Sequence, residues 1–142
     1  MVNVQRRRRL VLIVDDDAAS IDLARLLLER EGYRVLSAQD GDGAVAIIDA
    51  EGPDAILINA QMRHGTGLPL IGTLLLAQEP IPIIAAAGGS LRTQREVLGV
   101  ARTLGAAAIV AMPFDGKALI AAMRQVLPEG RQLRVPSYLG AA

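Results

Sequence analysis

The sequence predicts an α/β fold built on a parallel sheet, and three observations carry that prediction. Short runs that are apolar throughout, such as Leu10 to Val14, alternate with longer amphipathic runs such as Ala18 to Glu31. Strands buried on both faces and joined by crossover helices produce this pattern. Glycines stand at or just past the ends of the amphipathic runs (Gly32, Gly52, Gly105), and Pro53, Pro80 and Pro82 precede or open the apolar runs that follow. Those are helix-stop signals at the places a βα repeat needs them.

Element by element, the apolar runs give five strands: Leu10 to Val14, Tyr33 to Ala38, Asp54 to Ile58, Ile81 to Ala86 and Ala107 to Ala111. The amphipathic runs give five helices: Ala18 to Glu31, Gly43 to Ala50, Leu68 to Gln78, Leu91 to Leu104 and Asp115 to Leu127. Right-handed crossovers restrict this alternation to few topologies. Residues 1–9 read as a basic tail, 10–127 as the folded domain and 128–142 as a second tail. Neither tail has the apolar content to offset its own ordering entropy. No second domain fits after Leu127, so the expectation is a protein without an attached output module.

Composition narrows the chemistry. The 142 residues are 51% hydrophobic, with 15 bases, 15 acids, one His and no Cys; mean hydropathy is +0.34. Disulfides, thiolate metal sites, cysteine catalysis and His-rich metal sites are excluded. No apolar run approaches the roughly 20 residues of a membrane span, and the start lacks a signal peptide, so a cytoplasmic location is expected. Arg6 to Arg9 hold four of the 15 bases, leaving 11 against 15 acids in the remainder. Such a tail can contact nucleic acid or an acidic surface. No aromatic interleaves it, which argues against a single-strand nucleic-acid platform and for a solvated tail.

In an open parallel sheet the functional crevice lies beyond the carboxyl ends of the strands. Asp15, Asp16, Asn59, Ala87 and Met112 should converge there. Four blocks frame these positions: LVLIVDDD (Leu10 to Asp17), PDAILINAQMRHGTG (Pro53 to Gly67), PIIAAAGG (Pro82 to Gly89) and GAAAIVAMPFD (Gly105 to Asp115). Together they resemble the response-regulator receiver domain of two-component signalling, over about Leu10 to Leu127. The resemblance implies a doubly wound, flavodoxin-like (βα)5 fold with strand order 2-1-3-4-5, and a cis bond between Met112 and Pro113. It also implies a pocket in which an acidic pair holds Mg²⁺ and an Asp ending strand three accepts a phosphoryl group. A hydroxyl after strand four and a Lys after strand five then bind that group. The physics is phosphoryl transfer by positioning and charge neutralisation.

Position by position, this chain departs from that pattern. The acids remain at Asp15 and Asp16, and Pro113 and Phe114 keep the final turn. The acceptor position is Asn59, a neutral amide that forms no acyl phosphate. The hydroxyl position is Ala87, the clamp position is Met112, the aromatic switch position is Ile109, and Arg63 replaces the usual proline. A standard pocket of three carboxylates and one Lys sums to −2, and Asp15 and Asp16 with neutral Asn59 and Met112 also sum to −2. Losing the Asp and the Lys together avoids an unpaired buried cation. That balance argues for a natural pseudoreceiver. A metal site at Asp15, Asp16 and Gln61 is expected to be weak or absent, and no cofactor is required.

Plainer readings stand beside these. Asp15 and Asp16 read equally as solvated loop acids at a strand end, in the N-cap region of the first helix, and Asp17 as its cap. His64 reads as a solvated loop residue and Met112 as packing. Arg92, Arg95 and Arg102 fall at helical spacing with Gly99, opposite Val97, Ala101 and Leu104; they read either as an ordinary wet face or as a partner face. The resemblance implies that the fourth helix, fifth strand and fifth helix meet signalling proteins such as a histidine kinase or phosphotransfer protein. A homodimer through that face needs Glu96 or Asp115 to interleave with the arginines. The expected function is phosphorylation-independent protein binding in two-component signalling, without enzymatic activity. The alternatives are a conventional phosphate-accepting single-domain regulator, either with an engineered acceptor at Asn59 or using another carboxylate such as Asp54, or a ligand or nucleic-acid binder using the crevice or the arginine tail.

Overall fold

The computed structural model describes residues 8–128. The two expected tails, with Arg6 and Arg7, lie outside the described residues, apart from Arg8, Arg9 and Pro128. The elements run in strict βα alternation: β1 Leu10–Val14, α1 Ala18–Arg30, β2 Arg34–Ala38, α2 Gly41–Glu51, β3 Ala55–Asn59, α3 Gly67–Leu74, β4 Ile83–Ala87, α4 Leu91–Leu104, β5 Ala108–Ala111 and α5 Gly116–Val126. All pairings are parallel, in the order β2-β1-β3-β4-β5.

The fully apolar runs are buried because each strand feeds two cores. Val11, Ile13, Leu57, Ile84 and Val110 pack with Ile21, Ala24 and Leu28 of α1 and Leu119 and Met123 of α5. Leu12, Val14, Ile56, Ile58, Ile83 and Ala85 face Ala44 of α2, Ile71 of α3 and Leu98 and Ala101 of α4. Burying one such Leu or Ile contributes about 1.5–3 kcal/mol, and the period-2 alternation divides that gain between the two faces of one sheet.

Local capping fixes where four crossovers enter their helices. Asp17, Asp40, Ser90 and Asp115 each accept from an N–H in the first turn of α1, α2, α4 and α5. The expected glycine stops are found: Gly52 and Gly105 end α2 and α4 in the left-handed region, and Gly32 has φ 92° just after α1. The Met112–Pro113 bond is cis.

Several boundaries and one face differ from the sequence reading. The second helix starts at Gly41, not Gly43, because Asp40 caps it through the Gly43 N–H at 2.7 Å. The third helix ends at Leu74 rather than Gln78. Strand four starts at Ile83, beyond Pro82, and runs through Ala87, so Ala87 is its last residue and not its successor. On α4 the buried stripe is Leu98 and Ala101, with Leu104 42% exposed on the flank toward α3.

Candidate functional site

Parallel pairing brings the carboxyl ends of β1, β3, β4 and β5 to one edge of the sheet, and the expected crevice forms there. Asp15 is the first residue past β1. Its backbone N–H donates to Ala38 O at 3.1 Å, and its side chain is 2% exposed, the one buried charged group among the described residues. The carboxylate Oδ1 accepts from the Asp17 N–H and from Asn59 Nδ2, each at 3.1 Å. Asn59 is the last residue of β3, and its Oδ1 accepts from the Gln61 N–H at 2.8 Å. Both ends of the amide are therefore used, which fixes its orientation: the nitrogen faces the acid. An aspartate at this position has no proton to give Asp15.

Asp16, half-buried, accepts from the Arg63 N–H at 2.7 Å. A proline at position 63 has no N–H to donate. The departure at Arg63 thus supplies a backbone donor that ties the β1–α1 loop to the β3–α3 loop. Gln61 spans in the other direction. Its Oε1 accepts from the Gly88 N–H at 2.7 Å and its Nε2 donates to Gly88 O at 3.2 Å.

Mg²⁺ favours an octahedral oxygen shell. Here Asp15 Oδ1 and Asp16 Oδ2 already accept from N–H donors, the third ligand position presents an amide nitrogen to the acid, and the Gln61 side chain is turned to Gly88. The residues do not fit the ion that the acidic pair implies.

Ala87 is fully buried. Met112 is half-buried against the α1/α5 core, as its packing reading has it, and Ile109 is half-buried against the opposite core. Asp17 caps α1 through Ser20, and those bonds hold its carboxyl below the ordinary range. His64 is an exposed residue of a short 3-10 turn, Arg63–Gly65, with φ 62°. Asp54 lies at the far end of β3, where its Oδ2 accepts from the Leu10 N–H at 2.8 Å. It is remote from the crevice. Arg92, Arg95 and Arg102 are all exposed on α4. Sequence reasoning missed the Gln61–Gly88 pair and the Arg63–Asp16 bond. The signals were a glycine pair directly after a strand, and a residue with an N–H where a proline was anticipated.

Burial, the larger cause, pushes the Asp15 carboxyl up against the opposing bonds from Asn59 and Asp17, and the charges of Asp16 and Asp17 add to the rise. The folded chain therefore binds this proton more tightly than the unfolded chain does. Its contribution to stability is greatest at acid pH and declines as pH rises through the folded value. Asp15→Asn keeps an oxygen for both N–H donors, since both bonds go to Oδ1. It is expected to remove that decline and to raise stability at neutral pH. Thermal melts from mildly acidic to neutral pH, compared with the unaltered chain, check this.

Comparison with known proteins agrees with the geometry. Residues 11–124 match the family model described as the response regulator receiver domain. The transcriptional regulatory protein CpxR of Klebsiella pneumoniae is 34% identical over 118 residues, 82% of this chain and 48% of that protein. The sensory transduction protein RegX3 of Mycobacterium bovis is 31% identical over 120 residues, 84% of this chain and 51% of the relative. The chain thus spans about half the length of the curated relatives it matches. Among solved structures, a CheY-like response regulator receiver domain protein from Methanospirillum hungatei superposes with TM-score 0.74 at 27% identity, covering 87% of this chain and 96% of that one. The receiver domain of NtrX from Brucella abortus superposes with TM-score 0.77 at 24% identity, covering 84% and 99%, a likeness of fold. With the five-stranded 2-1-3-4-5 sheet, the crevice at its carboxyl edge and a family match over most of its length, this chain belongs to the response regulator receiver domain family.

Proposed function

We propose that this chain is a pseudoreceiver: a signalling module that works by binding a protein partner and accepts no phosphoryl group at the family position. The observation that carries this reading is the Asn59 amide, which donates to the buried Asp15 instead of presenting a nucleophile. Supporting it, Ala87 has no hydroxyl and Met112 no ammonium with which to hold a phosphoryl oxygen. The module is a binder and not an enzyme. Incubation with acetyl phosphate and Mg²⁺, followed by intact-mass measurement and peptide mapping, is expected to show no added phosphate in this crevice. One phosphate mapped to Asp15, Asp16 or Asn59 overturns the reading.

The partner surface that fits best is the exposed face of α4 with the neighbouring β5 and α5. Arg92 pairs with Glu96 at 3.2 Å across exposed side chains, a bond that water screens and a partner can displace. Among the described residues no acid lies within ion-pair distance of Arg95 or Arg102. This basic face suits an acidic protein surface, such as one on a histidine kinase or phosphotransfer protein, because each guanidinium can take a carboxylate bidentately. It suits a second copy less, since like charges then meet. The check is a pull-down from the native host. Arg95→Glu with Arg102→Glu is expected to lose the captured protein, while Asp16→Ala keeps it; the reverse result moves recognition to the crevice.

A further inference from the structure

We propose that Gln61 is the positioning residue of the α4 face: its carboxamide clasps Gly88 by both main-chain groups and so holds the loop from which α4 starts. This rests on the pseudoreceiver reading and names what fixes the recognition face when no phosphoryl group does.

The loop between β4 and α4 is only Gly88, Gly89 and Ser90. Two glycines in succession, one at φ 86°, give it little stiffness of its own. It must be held by its neighbours. On one side Gly88 lies against Met112: a Cβ built on Gly88 would stand 3.4 Å from the Cβ and carbonyl oxygen of Met112. On the other side the Gln61 amide makes its paired bonds, at 2.7 Å to the Gly88 N–H and 3.2 Å to Gly88 O. Two bonds from one planar group fix the direction of a peptide unit as well as its distance.

The clasp is anchored at its own root, because the Gln61 N–H donates to Asn59 Oδ1 at 2.8 Å. Beyond Gly88 the chain of contacts continues into the helix. Gln94 Nε2 donates to Gly89 O at 2.9 Å, and Ser90 accepts the Thr93 N–H at 3.1 Å as the helix cap. From Asp15 through Asn59, Gln61, Gly88 and Gly89 to Gln94, hydrogen bonds and adjoining backbone therefore join the crevice to the first turns of α4. Every link is supplied by the protein. The α4 face is held in one position by residues of its own chain, and crevice ligands have no vacant link to complete.

The test is amide hydrogen exchange, resolved by residue, on the full chain and two variants. Gln61→Ala is expected to speed exchange of the Gly88 and Thr93 N–H groups about tenfold, the loss of two solvent-accessible hydrogen bonds, while Leu12 and Ile13 in β1 keep their rates. Gln61→Glu keeps an acceptor for the Gly88 N–H but turns an oxygen toward Gly88 O, so its rates should fall between the two. Unchanged exchange at Gly88 and Thr93 in Gln61→Ala overturns the clasp, and so does uniform acceleration at every amide, which marks only general loosening. Labelling of the unaltered chain by acetyl phosphate refutes the pseudoreceiver reading instead. The two failures are thus separately visible.

Discussion

Asn59→Asp is expected to destabilise the fold without restoring its chemistry. At 3.1 Å from Asp15 Oδ1, an N–H donor becomes an oxygen, and a second negative charge arrives beside a carboxyl that burial already pushes up. The Gln61 N–H keeps its acceptor. Loss of a charge-assisted bond plus like-charge repulsion should cost about 2 kcal/mol at neutral pH, or a melting temperature lower by roughly 5–10 °C for a domain of this size. The crowding raises the folded pKa of the pair still further. The deficit should therefore shrink as pH falls and widen toward neutrality.

Mg²⁺ supplies a second signature. With a third carboxylate the crevice regains an oxygen-rich set, so millimolar Mg²⁺ should raise the melting temperature of Asn59→Asp and leave the unaltered chain unmoved. Phosphorylation by acetyl phosphate should stay marginal in the variant, because Ala87 and Met112 still provide no donor, and each missing electrostatic contact costs on the order of 10²-fold in rate. A variant as stable as the parent without Mg²⁺ would falsify the structural role given to the Asn59–Asp15 bond.

Gly67→Ala should have the largest effect on stability. At the start of α3 the backbone passes so close to the end of β3 that a Cβ there would overlap Asn59 O and stand 2.6 Å and 2.7 Å from the carbonyl carbon and oxygen of Ala60. Every one of those atoms is backbone, in a segment whose Ala60 N–H is bonded to Ala86 O at 2.8 Å. No flexible side chain can yield. The helix start must move, at a cost of about 3 kcal/mol, the upper part of the range for overpacked sites. α3 lacks a side-chain cap, so this close approach is what seats its first turn. Gly99→Ala is the control. Nothing lies within 4 Å of a Cβ at Gly99, inside α4, and the change should stabilise by up to about 1 kcal/mol. Denaturant melts of the two variants should shift in opposite directions; a loss of less than about 1 kcal/mol in Gly67→Ala would show that the loop can give way.

Much of the fold was legible because its strands are buried on both faces and so are apolar without interruption, as in Ala55 to Ile58. Boundaries were harder. The run from Leu68 to Gln78 keeps a helical period after the helix has ended at Leu74, since period alone does not say where main-chain bonds stop. The α4 stripe was misread at Leu104, because a one-helix periodicity does not say which flank the sheet covers and which faces α3.

By itself the sequence determined the class of fold and the identity of the residues at the crevice, because both are matters of residue type: apolar runs at strand length, and Asn59, Ala87 and Met112 at the positions that carry reactive groups in the receiver pattern. Tertiary structure alone decided how those crevice residues are joined. The bonds that knit the crevice join Asp15 to Asn59, Asp16 to Arg63 and Gln61 to Gly88, pairs separated by 44, 47 and 27 residues. Such partners meet only once β1, β3 and β4 are ordered side by side, and a hydrogen bond depends on distances of a few tenths of an ångström that no spacing along a chain encodes.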